Sequence, residues 1–324
     1  MRFYQNWTGS CDEEDIVFDA QVPGNIQLDY SRAKSWGNIN YNDNCLKYAD
    51  IEDYTWYYSP ELNYNIKEGE RLYFVSKGID YKFDIILNDQ ILHSQEGMFT
   101  PVEIDITDYL KDKNELMIKI YPHPKSAWMV PDRSEADESV KPAACYGWDW
   151  HPRVLVSGIW EETYLETRKN DYLSYCEPKY TLSDDYSYAE VTFDAPCEVE
   201  FEIFAPSGQS IYVGDGRNVR IENPQLWWCN GQGNPNLYVW KAKTSSDEKQ
   251  GTIGFRRVKL VMNEGTWNEP TSYPMSRSNP PITIELNGRR IFAKGSNFVN
   301  PEIFVGAITE ETYKPLVEAA DECN

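Results

Sequence analysis

The stretch KFDIILNDQILHSQEGMFTPVEIDITDYLKDKNELMIKI, residues 82–120, alternates apolar and polar side chains with a period of two. Successive side chains of a β-strand point to opposite faces of the sheet, so this pattern predicts strands that are buried on one face. Asn88-Asp89 stands between two apolar runs and predicts a hairpin turn, because both residues tolerate positive φ. Short strands joined by polar turns are typical of β-sandwiches. The alternating residues are Phe83, Ile85, Leu87, Val102, Ile104, Ile106, Leu116, Ile118 and Ile120.

Beyond this stretch the chain divides into further regions. A polar, turn-rich segment at 169–184 is followed by a second series of alternating runs. That series extends over roughly a hundred residues, which is the size of an immunoglobulin-like sandwich. A proline-rich stretch then predicts a linker or an exposed connection. Its prolines are Pro270, Pro274, Pro280 and Pro281.

Near the end of the sequence the spacing of apolar residues changes from that of a strand to that of a helix. Asn287-Gly288 predicts one more hairpin turn. Apolar residues then recur at helical spacing from Tyr313 to Cys323, and Thr309 or Thr312 is expected to cap the helix. Two interpretations remain open on these grounds. The helix packs back on the second sandwich, or the strand and helix are the start of an α/β domain.

The charge balance narrows the classes of ligand. Among 324 residues there are 31 Lys and Arg against 52 Asp and Glu, a formal net charge of −21. An acidic surface repels phosphate backbones and anionic lipids, so we expect neither nucleic acid nor a membrane as partner. A neutral ligand fits this charge best.

The cysteines and the N-terminus indicate the compartment. Seven cysteines are scattered without a CxxC pair, so no zinc ribbon is predicted and we expect neither a metal nor a cofactor. The N-terminal MRFYQNWTGS lacks the apolar run of a signal peptide. No run of about 18 apolar residues predicts a membrane span. The sequence therefore favours a cytoplasmic chain with reduced thiols.

The stretch CYGWDWHP, residues 145–152, is a candidate ligand site. Trp148 and Trp150 could stack on the apolar C–H face of a sugar, and Asp149 could accept hydrogen bonds from its hydroxyls. His151 could donate to the same ligand. The competing interpretation is a packed tryptophan corner with Asp149 capping a loop, and for an isolated Trp-Asp-Trp it is the favoured one. Trp160 is expected in the core, and the Trp227-Trp228 pair in a structured loop.

Catalytic residues are harder to find. Glycoside hydrolysis needs a pair of carboxylates, but the Asn-Glu pairs of this chain fall at strand edges or in loops and are interpreted as solvated turns. No GxSxG, P-loop or GxGxxG motif is present. Cys145 has no organised base beside it in the sequence, so it is not expected to be a nucleophile. The Asn-Glu pairs are Asn114-Glu115, Asn263-Glu264 and Asn268-Glu269.

Six stretches in order along the chain resemble the N-terminal half of glycoside hydrolase family 2, and most closely its β-mannosidase-like branch. The stretch YGWDWHPRVLVSGIWEETYLE is similar to the most specific motif of that branch. NGRRIFAKGSNFVNPEIF resembles the entry into the family's catalytic (β/α)8 barrel. The other four are VPGNIQLDY, DIILNDQILHSQEGMFTPVEIDITDYLKDKNELMIKI, PQLWWCNGQGNPNLY and IGFRRVKL.

The resemblance implies a mainly β fold with three parts. These are a jelly-roll sugar-binding domain at 1–170, an immunoglobulin-like β-sandwich at 171–276, and the truncated start of the catalytic barrel at 277–324. It also reverses the interpretation of the tryptophan turn, because the family places a loop of its first domain over the sugar subsite. The implied substrate-binding residues are Trp148, Asp149, Trp150, His151, Asn297 and Phe298. His151 stands where the branch usually has glycine and Phe298 where it usually has tryptophan, so the sugar specificity is left open.

The implied function is that of a retaining glycosidase acting on terminal β-linked sugars, with β-mannosides first. Both catalytic glutamates of the family sit on later barrel strands, so this chain alone is expected to be inactive. A β-galactosidase or β-glucuronidase of the same family, or a stand-alone carbohydrate-binding protein, are the alternatives. The expected partner is a carbohydrate. We expect the C-terminal strand and helix to be poorly ordered or to pack on a neighbouring chain, as in a homo-oligomer, because their apolar stripe lacks the rest of a barrel.

Overall fold

The protein is described here by a computed structural model that covers residues 1–125, 133–264 and 282–323. The predicted proline linker, the Asn268-Glu269 pair and the expected boundary at 276 lie outside these residues. By its contacts the chain forms two compact units. The first comprises Met1–Arg168 together with Phe298–Asn324, and the second comprises Lys169–Asn297.

Antiparallel sheets build the first unit, as the alternating pattern predicts. One has six strands in the order β3-β2-β4-β10-β7-β8, a second has four in the order β1-β12-β5-β9, and β11 pairs with β6. The elements are β1 Arg2–Phe3, β2 Asn6–Cys11, β3 Val17–Ala20, α1 Ile26–Ala33, β4 Trp56–Glu61, β5 Arg71–Ser76, β6 Ile79–Asp80, β7 Lys82–Leu87, β8 Gln90–Glu96, β9 Val102–Asp105, β10 Leu116–Tyr121, β11 Gly158–Ile159 and β12 Thr163–Arg168. Short 3-10 helices cover Asn44–Ile51, Thr107–Tyr109, Arg133–Glu138 and Ala143–Tyr146.

The quoted stretch forms the centre of this unit. Phe83, Ile85 and Leu87 of β7 are buried, and the alternate residues of β10 are buried beside them. Asn88 and Asp89 both have positive φ and connect β7 to β8, so the predicted hairpin turn is confirmed. The mainly β class inferred from periodicity is thereby confirmed.

The second unit is a smaller sandwich with its own core. Its sheets have the strand orders β13-β14-β17, β16-β15-β18-β19 and β20-β21-β22. Phe193 and Phe201 stack at its centre with ring centroids 4.4 Å apart. The strands are β13 Glu177–Leu182, β14 Tyr188–Asp194, β15 Glu200–Phe204, β16 Ser210–Gly214, β17 Asn218–Glu222, β18 Tyr238–Lys243, β19 Glu248–Ile253, β20 Val258–Met262, β21 Ile282–Leu286 and β22 Arg289–Ile291.

The residues expected to begin a barrel are divided between the units. Strands β21 and β22 turn at Asn287-Gly288, as predicted, and β21 pairs with β20 of the second unit. Further on, Phe304 is 1% exposed in the core of the first unit, with its ring 5.5 Å from that of Tyr48. The barrel assignment of 277–324 and the domain boundaries stay predictions.

The terminal helix α2 spans Glu310–Glu322 and has no buried residue among those described. Thr309 and Thr312 form a capping box at its start, which confirms the predicted cap. Tyr313, Leu316 and Val317 are exposed on it. The expectation that the C-terminal strand and helix are poorly ordered or pack on a neighbouring chain is therefore wrong for Phe304, which is buried in the core of its own chain. For the helix it stays a prediction. Phe304 lies immediately before a short 3-10 segment, Val305–Ala307, and packs in the core ahead of the helix.

Candidate functional site

The Trp148–His151 segment is a tight turn on the first unit. The Trp148 N–H donates to the His151 carbonyl at 2.9 Å, and the His151 N–H donates back to the Trp148 carbonyl at 3.2 Å. Gly147, immediately before it, has a φ of 104°, a conformation that favours glycine. The four candidate residues from Trp148 to His151 are thus presented together on one turn.

Both tryptophans of the turn are exposed rather than packed in a corner. Trp148 is 43% and Trp150 52% exposed, and Asp149 between them is also exposed. The His151 ring is 5.8 Å from the Trp150 ring, nearly perpendicular to it. Exposed indole faces next to a carboxylate suit a neutral polyol, which needs an apolar platform and a hydrogen-bond acceptor.

His151 has one ring nitrogen engaged. Its Nδ1 donates to the Pro152 carbonyl at 2.6 Å. In the neutral imidazole this leaves Nε2 as an acceptor. A neutral His151 ring in this position would accept a hydrogen bond from a ligand hydroxyl at Nε2. The contact between His151 and a ligand stays a prediction.

An arginine clamp fixes the chain on the C-terminal side of the turn. Arg153 donates from Nε and Nη2 to the two oxygens of Glu52, both at 2.9 Å, and from Nη1 to Glu135 at 2.5 Å. Both carboxylates are nearly buried. Burial alone would lower the pKa of Arg153, but its hydrogen bonds to Glu52 and then to Glu135 raise that pKa. Such paired, charge-assisted bonds are directional and hold the turn in place.

A buried ion pair holds the N-terminal side of the same segment. The Lys141 ammonium contacts Asp80 and donates to the Val156 carbonyl at 2.9 Å. His123 lies in the same region, with Nε2 2.9 Å from both the Val156 carbonyl and the Ser157 hydroxyl. Burial lowers the pKa of His123 well below its usual value, so the imidazole is neutral. No sequence motif indicates this cluster, because its members are far apart in the chain.

The remaining predicted site residues lie outside the turn. Phe298 belongs to the first unit and is 61% exposed, with its ring 6.0 Å from that of Tyr313. Asn297 is the last residue of the second unit and is exposed. The grouping of these two residues with the tryptophan turn stays a prediction.

The other aromatic candidates of the second unit are held by arginines. The Arg256 guanidinium lies 4.5 Å from the Trp227 ring centre, and that of Arg289 lies 4.6 Å from the Trp228 ring centre. Asn287 donates to the Trp227 carbonyl at 3.0 Å. These contacts are typical of a structured loop, as the sequence favoured.

Two residues weighed as possible catalytic groups, Cys145 and Asn114, lie in surroundings that suit a structural role instead. Burial raises the pKa of the Cys145 thiol, so it stays protonated and weakly nucleophilic. Asn114 binds the Tyr64 hydroxyl at 2.9 Å and organises a turn. Within the described ranges, no three His, Cys, Asp or Glu side chains come together as metal ligands would. No described helix has the length and apolar character needed to cross a membrane.

The sequence interpretation missed one surface feature. Trp160, expected in the core, is partly exposed and lines two grooves together with Phe99. Phe99 itself is 56% exposed. The sequence contains one signal for this exposure. Phe99 stands two residues after Gly97 in a turn, and an apolar residue in a turn is often exposed.

Comparison with family models identifies both units. Residues 7–161 match the model described as glycosyl hydrolase 2 galactose-binding domain-like. Residues 177–256 match the model described as glycosyl hydrolases family 2. The two matches follow each other in the order that the sequence motifs predict.

Several β-mannosidases have similar sequences. A β-mannosidase of Rattus norvegicus is 22% identical over 98% of this chain and 40% of its own length. A β-mannosidase B of Emericella nidulans is 25% identical over 78% of this chain and 33% of its own length. The chain thus spans about 40% of the first of these curated relatives.

Solved structures share the fold. A β-D-mannosidase from Dictyoglomus thermophilum superposes with a TM-score of 0.79 at 21% identity, over 99% of this chain and 43% of that one. A β-glucuronidase of an uncultured Clostridium superposes with a TM-score of 0.57 at 14% identity, over 90% of this chain and 47% of that one.

Proposed function

Since the chain belongs to glycoside hydrolase family 2, we propose that it is the N-terminal, non-catalytic part of a retaining glycosidase for terminal β-linked sugars. The preferred substrate in this proposal is a β-mannoside. The β-mannosidases of rat and Emericella nidulans, which match most of this chain, support that choice.

The exposed Trp148–His151 turn is the observation that carries the proposal. Its indole rings stack on a sugar ring and Asp149 accepts hydrogen bonds from the sugar hydroxyls. We also assign Asn297 and Phe298 to substrate binding, as the resemblance to the family implies. The Arg153 clamp holds the turn, so the sugar meets a prearranged surface.

Hydrolysis itself is assigned to residues outside this chain. A retaining glycosidase needs two carboxyl groups about 5–5.5 Å apart, one acid/base and one nucleophile. Near the turn, Glu52 and Glu135 both neutralise Arg153 and are therefore occupied. We place the acid/base and the nucleophile on the barrel that the family adds after this region, and expect the chain alone to be inactive. The proposal includes no metal, cofactor or nucleic acid. We also propose a cytoplasmic location, as the sequence favours.

The test compares p-nitrophenyl β-D-mannoside, β-D-galactoside and β-D-glucuronide as substrates of the longer protein. The β-mannoside should have the highest kcat/KM, and Asp149→Ala should lower it by about a hundredfold. Asp112→Ala, at another exposed position of the first unit, is the matched control and should leave it unchanged. Faster turnover of the galactoside or glucuronide would favour those activities instead.

The second candidate function is carbohydrate binding without chemistry. It is favoured by the sandwich folds and by the exposed tryptophan turn, which need no barrel to bind a sugar. If the longer protein hydrolyses none of the three glycosides while this chain binds mannose oligomers, this second function replaces the first.

A further inference from the structure

A separate groove lies on the first unit, between the outer face of the four-stranded sheet and the loop that follows β8. It has a volume of 410 Å³, and its walls include Val75, Phe99, Trp160 and Tyr164. A second groove of 350 Å³ shares Phe99, Trp160 and Glu161 with it. The two aromatic rings therefore form a ridge with open space on both sides.

Phe99 is held in its exposed position by the loop that carries it. The neighbouring Met98 is buried and anchors the loop. The Gln95 amide donates to the carbonyls of Gly97 at 3.3 Å and Thr100 at 3.0 Å, so both flanks of Phe99 are tied to one side chain. A phenyl ring presented to solvent by a loop fixed in this way has little ordering entropy to lose when it stacks on a ligand.

Trp160 is fixed equally firmly. Its indole N–H donates to the Met98 carbonyl at 3.2 Å. Its ring lies so close to Gly78 that a Cβ there would be 2.6 Å from Nε1, so only glycine fits. The rings of Phe99 and Trp160 stand 6.1 Å apart at 82°, which gives an edge-to-face pair with a fixed corner.

The polar groups around the groove carry little net charge. Lys77 pairs with Glu162 at 2.5 Å, and Glu103 pairs with Arg168 at 2.6 Å. Glu161 adds a carboxylate on the ridge, where the Glu162 N–H donates to it at 3.4 Å. Neutralised pairs offer donors and acceptors to hydroxyl groups without attracting a charged ligand. The net charge of −21 further disfavours an anion.

From this combination we propose that the Phe99–Trp160 groove is a second carbohydrate-binding site, which takes a neutral oligosaccharide and is independent of the Trp148–His151 turn. The rings contact the C–H faces of the sugars, and Lys77 and Glu161 bind their hydroxyls. The two adjoining grooves accommodate more than one sugar unit. The inference goes beyond the proposed hydrolysis, because it requires no catalytic domain.

The test titrates this 324-residue chain with β-1,4-mannotriose and cellotriose by calorimetry, with trigalacturonic acid as the anionic comparator. Phe99→Ala removes an exposed ring and should weaken binding of a neutral trisaccharide by about tenfold or more. Glu161→Gln keeps the shape of the side chain and should weaken binding by about threefold to tenfold. Phe292→Ala, which removes a still more exposed phenyl ring in the second unit, is the control.

Each outcome decides the proposal. Loss of affinity in Phe99→Ala with full affinity in Phe292→Ala and in a Trp148→Ala/Trp150→Ala variant supports the groove. Equal affinity of Phe99→Ala and wild type overturns it, and so does loss of all binding in the double-tryptophan variant alone. Two further outcomes overturn it. One is that neither neutral probe binds at about 20 mM, since a preformed aromatic site should bind more tightly than that. The other is that the chain prefers the anionic probe. None of these results depends on which glycoside the longer protein hydrolyses.

Discussion

Lys141 and Asp80 form an ion pair in which neither side chain has any solvent exposure. The ammonium also donates to the Val156 carbonyl at 2.9 Å, so the pair joins the start of the turn segment to the sheet. Burial raises the pKa of Asp80, while the adjacent Lys141 charge opposes that shift. The connection between the turn segment and the sheet therefore depends on both Lys141 and Asp80.

Lys141→Met should destabilise the protein by about 3 kcal/mol or more, because it leaves Asp80 buried without its counter-charge. The double variant Asp80→Asn/Lys141→Met removes both charges and should recover at least about half of that loss. Urea unfolding followed by tryptophan fluorescence measures both. If the double variant is less stable than Lys141→Met, then the Asp80 carboxylate stabilises the fold without its Lys141 partner, which contradicts the prediction.

The Arg153 clamp gives a second prediction. Arg153→Met leaves the nearly buried Glu52 and Glu135 without their shared cation, so we expect a loss of about 2–4 kcal/mol in the free energy of unfolding. Arg220→Met breaks an exposed pair with Glu222 and should cost less than about 1 kcal/mol. Equal effects of the two variants in thermal unfolding would contradict a clamp.

Phe304 provides a third prediction. Phe304→Ala should lower the stability of the first unit by about 3–5 kcal/mol, because it opens a cavity beside Tyr48. Phe298→Ala, a few residues earlier but exposed, should change stability by less than about 0.5 kcal/mol. Amide exchange of β7 and β10 reads the stability of this unit specifically. Unchanged exchange in Phe304→Ala would mean that the segment docks without stabilising the core.

His123 predicts how stability depends on pH. Its pKa in the folded protein is well below 6.5 because it is buried, whereas in the unfolded chain it is near 6.5. The unfolded state therefore binds more protons below pH 6.5, and the contribution of His123 to stability falls as the pH falls. Between pH 7 and pH 5 the wild type should lose about 2 kcal/mol relative to His123→Gln, which cannot titrate. A pH-independent difference between the two proteins in urea unfolding would refute this assignment.

Periodicity predicted the local structure well and the long-range contacts hardly at all. The alternation around Phe83 and the turn residues Asn88 and Asn287 are properties of a few neighbouring residues, and each predicted its element. Arg153 and Glu52 are 101 positions apart, and no local pattern reports that they meet. The turn at Trp148 illustrates the limit, because its residues alone favoured a packed corner and only the order of motifs along the chain favoured an exposed site.

Trp160 shows the same limit from the other side. Its strand-like surroundings predicted burial, since an apolar residue in an alternating run usually faces the core. Its exposure depends instead on the loop at Phe99, which ends beside it from another part of the chain. The exposure of a side chain at a sheet edge depends on which segment packs against that side chain. Here the segment is distant in the sequence, so no local pattern predicts it.

The first unit is built from two separate pieces of chain, because Phe304 completes a core begun before Arg168. During synthesis the ribosome must produce the whole second unit before that phenyl ring emerges. At about 5–20 residues per second this interval lasts on the order of ten seconds. Throughout it the space beside Tyr48 stays unfilled while the second sandwich, whose residues are continuous in the chain, is free to fold. The core of the N-terminal unit therefore cannot be completed before the second unit has been synthesised.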